Sequence, residues 1–151
     1  MNGARALIAT LVDAGVDTVF ANPGTSEMHF VAALDDVPEM RGVLCLFEGV
    51  ATGAADGYGR MADRPAATLL HLGPGLGNGL ANLHNARRAG SPMVNIVGDH
   101  ATDYGQDLFL TSDIATIAAN LESWVGVAGS SADVGRLAAE AVAAATGAPN
   151  Q

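Results

Sequence analysis

Short apolar runs of strand length alternate with amphipathic stretches along the chain. Residues 4–14 place Leu7, Ile8, Leu11 and Val12 on one side at helical spacing, and Gly15 stops the pattern. Residues 16–21 read as a short buried strand. The turn Asn22-Pro23-Gly24-Thr25-Ser26-Glu27 opens a second helix over residues 28–36, with Thr25 or Ser26 as its cap and Pro38 beyond its end. Residues 42–47 are the second predicted strand, 48–62 a helix, and 66–72 a third strand introduced by Pro65. Gly73-Pro74-Gly75-Leu76-Gly77-Asn78-Gly79 reads as a glycine loop opening a helix that runs to about residue 89. A fourth strand covers residues 93–97, and residues 98–111 are polar without a clear period. Ser112-Asp113 caps a short helix to residue 120, residues 124–128 give a fifth strand, and Ser131 or Asp133 starts an alanine-rich helix that ends near Gly147.

Strands alternating with helices predict an α/β fold: an open, mostly parallel sheet with helices on both faces. No internal repeat interrupts the alternation. At 151 residues this is one domain, taken as residues 1–147, with residues 148–151 as a truncated linker. A last helix in such a fold normally leads back into the sheet. The expectation is therefore a sheet lacking its last strand, or one completed from another chain.

Composition narrows the function classes. Hydrophobic residues make up 49% and charged residues 15%, so the chain is no disordered tail. A net charge of −9, with seven Lys and Arg, argues against nucleic acid or an anionic membrane as partner. No apolar run reaches the roughly 18 residues of a membrane span, and the first residues do not form a signal peptide. The one cysteine, Cys45, sits in an apolar run and reads as an inert core thiol, in keeping with a cytoplasmic location.

Candidate chemistry gathers at strand ends. Glu48 stands where the second strand ends and a helix begins, on the edge where open α/β sheets bind ligands. An acid there is equally favoured by the helix dipole. Gly49, Gly53 and Gly57 share one face of that helix. Each costs about 1 kcal/mol relative to alanine, which suggests that something approaches the backbone closely. His71 ends the third strand in the same layer as Glu48, and Asn22-Pro23-Gly24-Thr25 ends the first. A lone strand-end histidine is more often structural, but its place beside an acid gives the functional reading equal weight. His100 follows the fourth strand and could overhang the same edge, His84 reads as a surface residue beside Arg87 and Arg88, and His29 is a helix residue without a nameable partner. The glycine loop could hold an anion at its helix start. It fails the dinucleotide fingerprint and lacks the Gly-Lys-Ser/Thr of a P-loop. No His, Cys or acid cluster has metal spacing, and Ser26 lacks a nucleophile elbow. From the residues alone, a catalytic half-site and a non-catalytic module binding a small anion or a partner both stay open, with a dinucleotide-binding domain disfavoured.

Three motifs taken in order change this picture. Asn22-Pro23-Gly24-Thr25-Ser26-Glu27, then Phe47-Glu48-Gly49-Val50-Ala51 with Ala54-Ala55-Asp56-Gly57-Tyr58-Gly59-Arg60, then Gly73-Pro74-Gly75-x-Gly77-Asn78, resemble the N-terminal pyrimidine-binding domain of thiamine-diphosphate-dependent enzymes. The branch resembled is that of acetolactate synthase and benzoylformate decarboxylase. The likeness spans about residues 1–97 and thins after Gly98. It implies that Glu48 hydrogen-bonds the pyrimidine N1′ of thiamine diphosphate and favours its 4′-imino form. It further implies that Pro23, Gly24, Gly75 and Asn78 line the cofactor, that Thr25 and His71 meet a 2-oxo acid substrate, and that Glu48 and His71 are the catalytic pair of a decarboxylase or carboligase. A histidine at position 71 is benzoylformate decarboxylase-like, whereas Gly73-Pro74-Gly75 is acetolactate synthase-like, and Asp99 stands where many members carry glutamine. The resemblance also implies magnesium held by a diphosphate-binding domain with no counterpart here. That domain would come from another subunit or chain, in a homo-oligomer, and this chain alone would be inactive.

Overall fold

The structure, a computed structural model, describes residues 2–101 and 108–147. Four predicted strands form: β1 (Thr18–Asn22), β2 (Arg41–Leu44), β3 (Ala66–Leu70) and β4 (Met93–Val97). They make one open sheet ordered β2-β1-β3-β4, and every neighbouring pair is parallel. The helices are α1 (Gly3–Asp13), α2 (Met28–Leu34), α3 (Glu48–Ala62), α4 (Leu72–Ala89), α5 (Ile114–Ala119) and α6 (Val134–Thr146).

Each face of the sheet has its own apolar layer, as a parallel sheet requires. Ile8 and Leu11 of α1, Phe30 of α2 and Val142 of α6 pack with Val19 and Leu69 on one face. Ala51 of α3, Leu76 and Leu83 of α4 and Ala118 of α5 pack with Leu70 and Cys45 on the other. β3 is buried at all five positions, which explains its unbroken apolar reading in the sequence. Cys45 is 7% exposed, and burial pushes its thiol above the usual range, as an inert core cysteine requires.

Local chemistry sets the helix ends. Asn2 caps α1 by accepting from the Arg5 N–H at 2.9 Å. Gly15, at φ 86°, makes the left-handed turn into β1. Asp113 caps α5 by accepting from the Thr116 N–H at 3.1 Å.

Three expectations need correction. Neither Thr25 nor Ser26 caps α2. The helix is entered through a 3-10 turn, Thr25–Glu27, in which Glu27 reaches back to the Gly24 N–H at 2.8 Å. The stretch Gly73–Gly79 is no loop: α4 starts at Leu72, directly after β3 and His71, and Leu72 takes a left-handed φ of 53° to make the corner. That conformation costs a bulky residue roughly 1–3 kcal/mol, and the complete burial of Leu72 offsets it. Pro74 is tolerated because the first helical turn has no N–H acceptor to lose. Third, residues 124–128 join no ladder among the described residues. A cleft of about 520 Å³ separates them from β4, whose only strand neighbour among those residues is β3. Residues 102–107 of the polar segment and 148–151 of the expected linker lie outside the described residues.

The topology positions the site. From β1 the chain crosses to β2 on one side; after α3 it passes over β1 to β3 on the other. The carboxyl ends of β1 and β3 therefore flank the switch point, the crevice where open α/β sheets take ligands. At the opposite end of β1, Asp17 accepts from Arg64 at 2.7 Å, Thr18 at 3.0 Å and Tyr58 at 3.4 Å, tying the strand to the end of α3. The Arg64 guanidinium, the largest influence, holds the Asp17 carboxyl below the usual carboxylate range. A depressed folded-state value adds stability above the unfolded pKa and loses it as pH falls through the folded one. Asp17→Asn should therefore destabilise by less than about 1 kcal/mol at pH 7, because the pair is solvent-screened. The difference from the parent chain should vanish in acid below the aspartate range. Denaturant unfolding across pH checks this; a difference that persists in acid would assign the effect to packing.

Candidate functional site

Two side-chain groups meet at the carboxyl rim. The first surrounds Glu48, the opening residue of α3, which is 8% exposed. The Asn78 amide donates to Glu48 Oε2 at 2.9 Å, and a Cβ added at Gly75 would stand 3.0 Å from Oε1. Glycine at position 75 thus lets α4 lie against the carboxylate. The two helices stay close along their length: the Asn82 amide donates to the Gly49 carbonyl at 2.6 Å, and the Thr52 hydroxyl reaches the Gly79 carbonyl at 3.3 Å.

This contact shows what approaches the glycine face. Gly49 and Gly53 turn toward Asn78 and Asn82 of α4 in the same chain, so they do not need a second subunit to explain them. A Cβ added at Gly57 would meet nothing within 4 Å among the described residues.

The second group surrounds His71, which terminates β3 and leads into α4. Its Nδ1 lies 2.8 Å from Glu27 Oε2, the same oxygen that accepts from the Gly24 N–H. A carboxylate acceptor places the ring hydrogen on Nδ1 and leaves Nε2 to take or give a proton. The Glu27 side chain is 1% exposed and that of His71 is 25% exposed, so the acid is sealed and the imidazole reaches the surface. Glu27 Oε1 has no hydrogen-bond partner among the described residues and abuts Gly98, where an added Cβ would collide with it. A Cβ on Gly24 would likewise collide with the imidazole. Gly75 joins the two groups: its N–H donates to the His71 carbonyl at 2.8 Å while its Cα faces Glu48.

The structure therefore brings together Gly24, Glu48, His71, Gly75 and Asn78, and sets Pro23 at the adjoining turn. Thr25 is exposed on the 3-10 turn and makes no side-chain hydrogen bond among the described residues. His29 and His84 are exposed, while His100 lines the cleft beside β4. Sequence reasoning missed Glu27 and Gly98. The signal for Glu27 was an acid three residues after Gly24, the spacing of a capping box. Nothing local marks Gly98, whose need for a bare Cα arises from a residue on another strand's loop. Among the described residues no group of three His, Cys, Asp or Glu could hold a metal ion, and no helix is long and apolar enough to cross a membrane.

A buried acid thus stands at the carboxyl rim, held by an amide from a glycine-opened helix. The family described as thiamine pyrophosphate enzyme, N-terminal TPP binding domain, matches residues 1–120. The chain belongs to this family. It is 70% identical over 145 residues to a Mycobacterium tuberculosis protein provisionally named acetolactate synthase large subunit IlvX, covering 95% of this chain and 28% of that protein. It is 36% identical over 135 residues to benzoylformate decarboxylase of Pseudomonas aeruginosa, covering 87% of this chain and 25% of the relative. Among solved structures, the thiamine diphosphate-dependent 4-hydroxybenzoylformate decarboxylase of Rhodococcus jostii superposes with a TM-score of 0.90 at 30% identity, over 97% of this chain and 28% of that one. The chain thus spans about a quarter of the length of these relatives and corresponds to the N-terminal TPP-binding domain of the acetolactate synthase and benzoylformate decarboxylase group. The parallel sheet with helices on both faces is the fold of that domain.

The glycine geometry gives a paired test. Gly98→Ala drives a methyl against Glu27 and should cost about 1–3 kcal/mol while releasing His71 from its acid. Gly57→Ala, with open space around it, should stabilise by about 0.5–1 kcal/mol. Denaturant midpoints measure both, and histidine nitrogen chemical shifts report the loss of the Nδ1 contact. Unchanged His71 shifts in Gly98→Ala would refute the role given to Gly98.

Proposed function

We propose that this chain is the pyrimidine half of a thiamine diphosphate site in a 2-oxo acid decarboxylase or carboligase, with Glu48 as the acid that activates the cofactor. The observation that carries the reading is Glu48 itself, buried at the switch-point rim with Oε2 fixed by Asn78 and Oε1 beside Gly75. The residues fit the group: a carboxyl held through Oε2 by the Asn78 amide can present its other oxygen to a ring nitrogen. Glu48 would share a proton with the pyrimidine N1′, and a dry surrounding would strengthen that interaction. When bound, thiamine diphosphate supplies the nucleophilic carbon and the electron sink for decarboxylation. His71, oriented through Nδ1 by Glu27, would present Nε2 to the substrate and move a proton there. Thr25, exposed on the neighbouring turn, would meet the substrate carboxylate.

The diphosphate and its magnesium would be held by polypeptide outside these residues, from another subunit or chain of a homo-oligomer. The apolar rim supports such a partner: Leu46, at 91% exposed, Phe47 and Val50 flank Glu48 and point outward. An apolar collar around a functional acid is the anatomy of an interface that closes over a site.

Two measurements test the proposal. Calorimetry of the 151-residue chain with thiamine diphosphate and magnesium should show weak or no binding, whereas micromolar affinity would contradict a half-site. In an assembled holoenzyme containing this domain, Glu48→Gln should slow thiazolium C2–H exchange by about 10²–10⁴-fold, the range of a positioned general acid–base. Exchange at the parent rate would sink the role of Glu48.

A further inference from the structure

The helix start that carries Glu48 is weak on its own terms. Phe47, the residue before it, offers no side-chain hydrogen bond to the free N–H groups of the first turn. Gly49 and Gly53 follow within two turns, and glycine is among the poorest helix formers. A helix end of that kind frays, yet the acid it carries is held in one place. The holding groups come from α4. Asn78 and Asn82 lie one turn apart on one face of that helix. The Asn78 amide donates to the carboxylate of Glu48 at 2.9 Å, and the Asn82 amide donates to the carbonyl of the next residue, Gly49, at 2.6 Å. The first grips a side chain; the second grips the backbone beside it. Gly53 keeps the second grip open, because a Cβ there would stand 3.1 Å from the Asn82 amide nitrogen. Asn82 makes no hydrogen bond to Glu48 itself among the described residues.

We propose that Asn82 is a positioning residue for the activating acid: by clamping the Gly49 carbonyl it fixes the backbone of α3 from which Glu48 projects. The inference rests on the reading of Glu48 as the group that activates the cofactor. One attachment, at Oε2, leaves Glu48 free to pivot about that bond as the helix start shifts. Two attachments from one helix, to the carboxylate and to the adjacent carbonyl, remove that freedom. The clamp also accounts for Gly53, which helix propensity disfavours and the cofactor reading does not use. Its part in folding is small by comparison. The Gly49 carbonyl lies inside α3, so it keeps its helical partner, the Gly53 N–H, when the Asn82 amide is lost. That carbonyl is therefore not left unpaired. What is lost is direction, and a displacement near 1 Å at a reacting centre can cost about 100-fold in rate.

An assembled holoenzyme containing this domain tests the assignment, with Glu48→Gln, Asn82→Ala and Asn82→Leu compared. Leucine keeps the branched shape of asparagine without its donor, and covers the case in which the alanine variant does not fold. Each Asn82 variant should slow thiazolium C2–H exchange by about 10–100-fold and leave thiamine diphosphate affinity within about threefold. A purely structural residue would lower both together. The 151-residue chain without cofactor supplies a second readout. There Asn82→Ala should move the NMR signals of the Asn78 side-chain amide and the Glu48 carboxyl carbon, and speed amide exchange at Ala51 and Gly53 by about tenfold. Parent-rate C2–H exchange in both Asn82 variants, beside a slow Glu48→Gln, would overturn the proposal and leave the cofactor reading standing. Parent-rate exchange in Glu48→Gln would instead sink the cofactor reading, and with it the role given to Asn82. A loss of affinity matching the loss of rate, or unmoved Asn78 and Glu48 signals in the free chain, would also overturn the proposal.

Discussion

A single sealed carboxylate ties the ends of two strands together. Glu27 leaves the turn after β1, holds the Gly24 N–H and grips the imidazole at the end of β3. Both contacts fall on one oxygen, Oε2, so moving this buried side chain would break two hydrogen bonds at once. It fixes the 3-10 turn, the entry into α2 and the orientation of His71 at once. The backbone around it is correspondingly bare. Side chains on Gly24 or Gly98 would fill the space that the acid and the ring need. The switch point between β1 and β3 gives the crevice, and Glu27 gives it a defined wall.

The second constraint is the close contact of α3 and α4. Glu48 opens α3 and Asn78 lies in the second turn of α4, so their hydrogen bond spans the two helices near their N-terminal ends. Thr52 and Asn82 repeat the contact further along by bonding to backbone carbonyls. Glycines at 49, 53, 75 and 79 make that spacing possible. Their weak helix propensity is offset by packing that larger residues would prevent.

Much of this was readable in the residues. Strand and helix alternation predicted the parallel sheet, and its four strands appeared where the apolar runs lay. Glu48, His71 and the Pro23-Gly24 turn were legible because strand ends in a parallel sheet share one rim. What escaped the sequence was long-range. The Glu27 carboxylate looked like an ordinary first-turn acid, since its partner His71 lies 44 residues away. The glycines of 73–79 suggested a loop because helix propensity disfavours them, while tertiary contact with α3 overrode it. Residues 124–128 read as a strand from composition but form none among the described residues, because a strand exists only with a neighbour and pairing is not a local property. Gly49 and Gly53 showed that a close approach was needed but not which element would make it.

The direct passage from β3 into α4 has an evolutionary corollary. Leu72 turns the corner in one left-handed step, so no spacer separates His71 from the helix. Inserting one residue there would rotate α4 by about 100° about its axis and swing Gly75 and Gly79 away from their neighbours. This corner has no slack for length variation. Chemical diversification at the end of β3 is therefore confined to exchanging the side chain at position 71, one residue type for another, on an unchanged backbone.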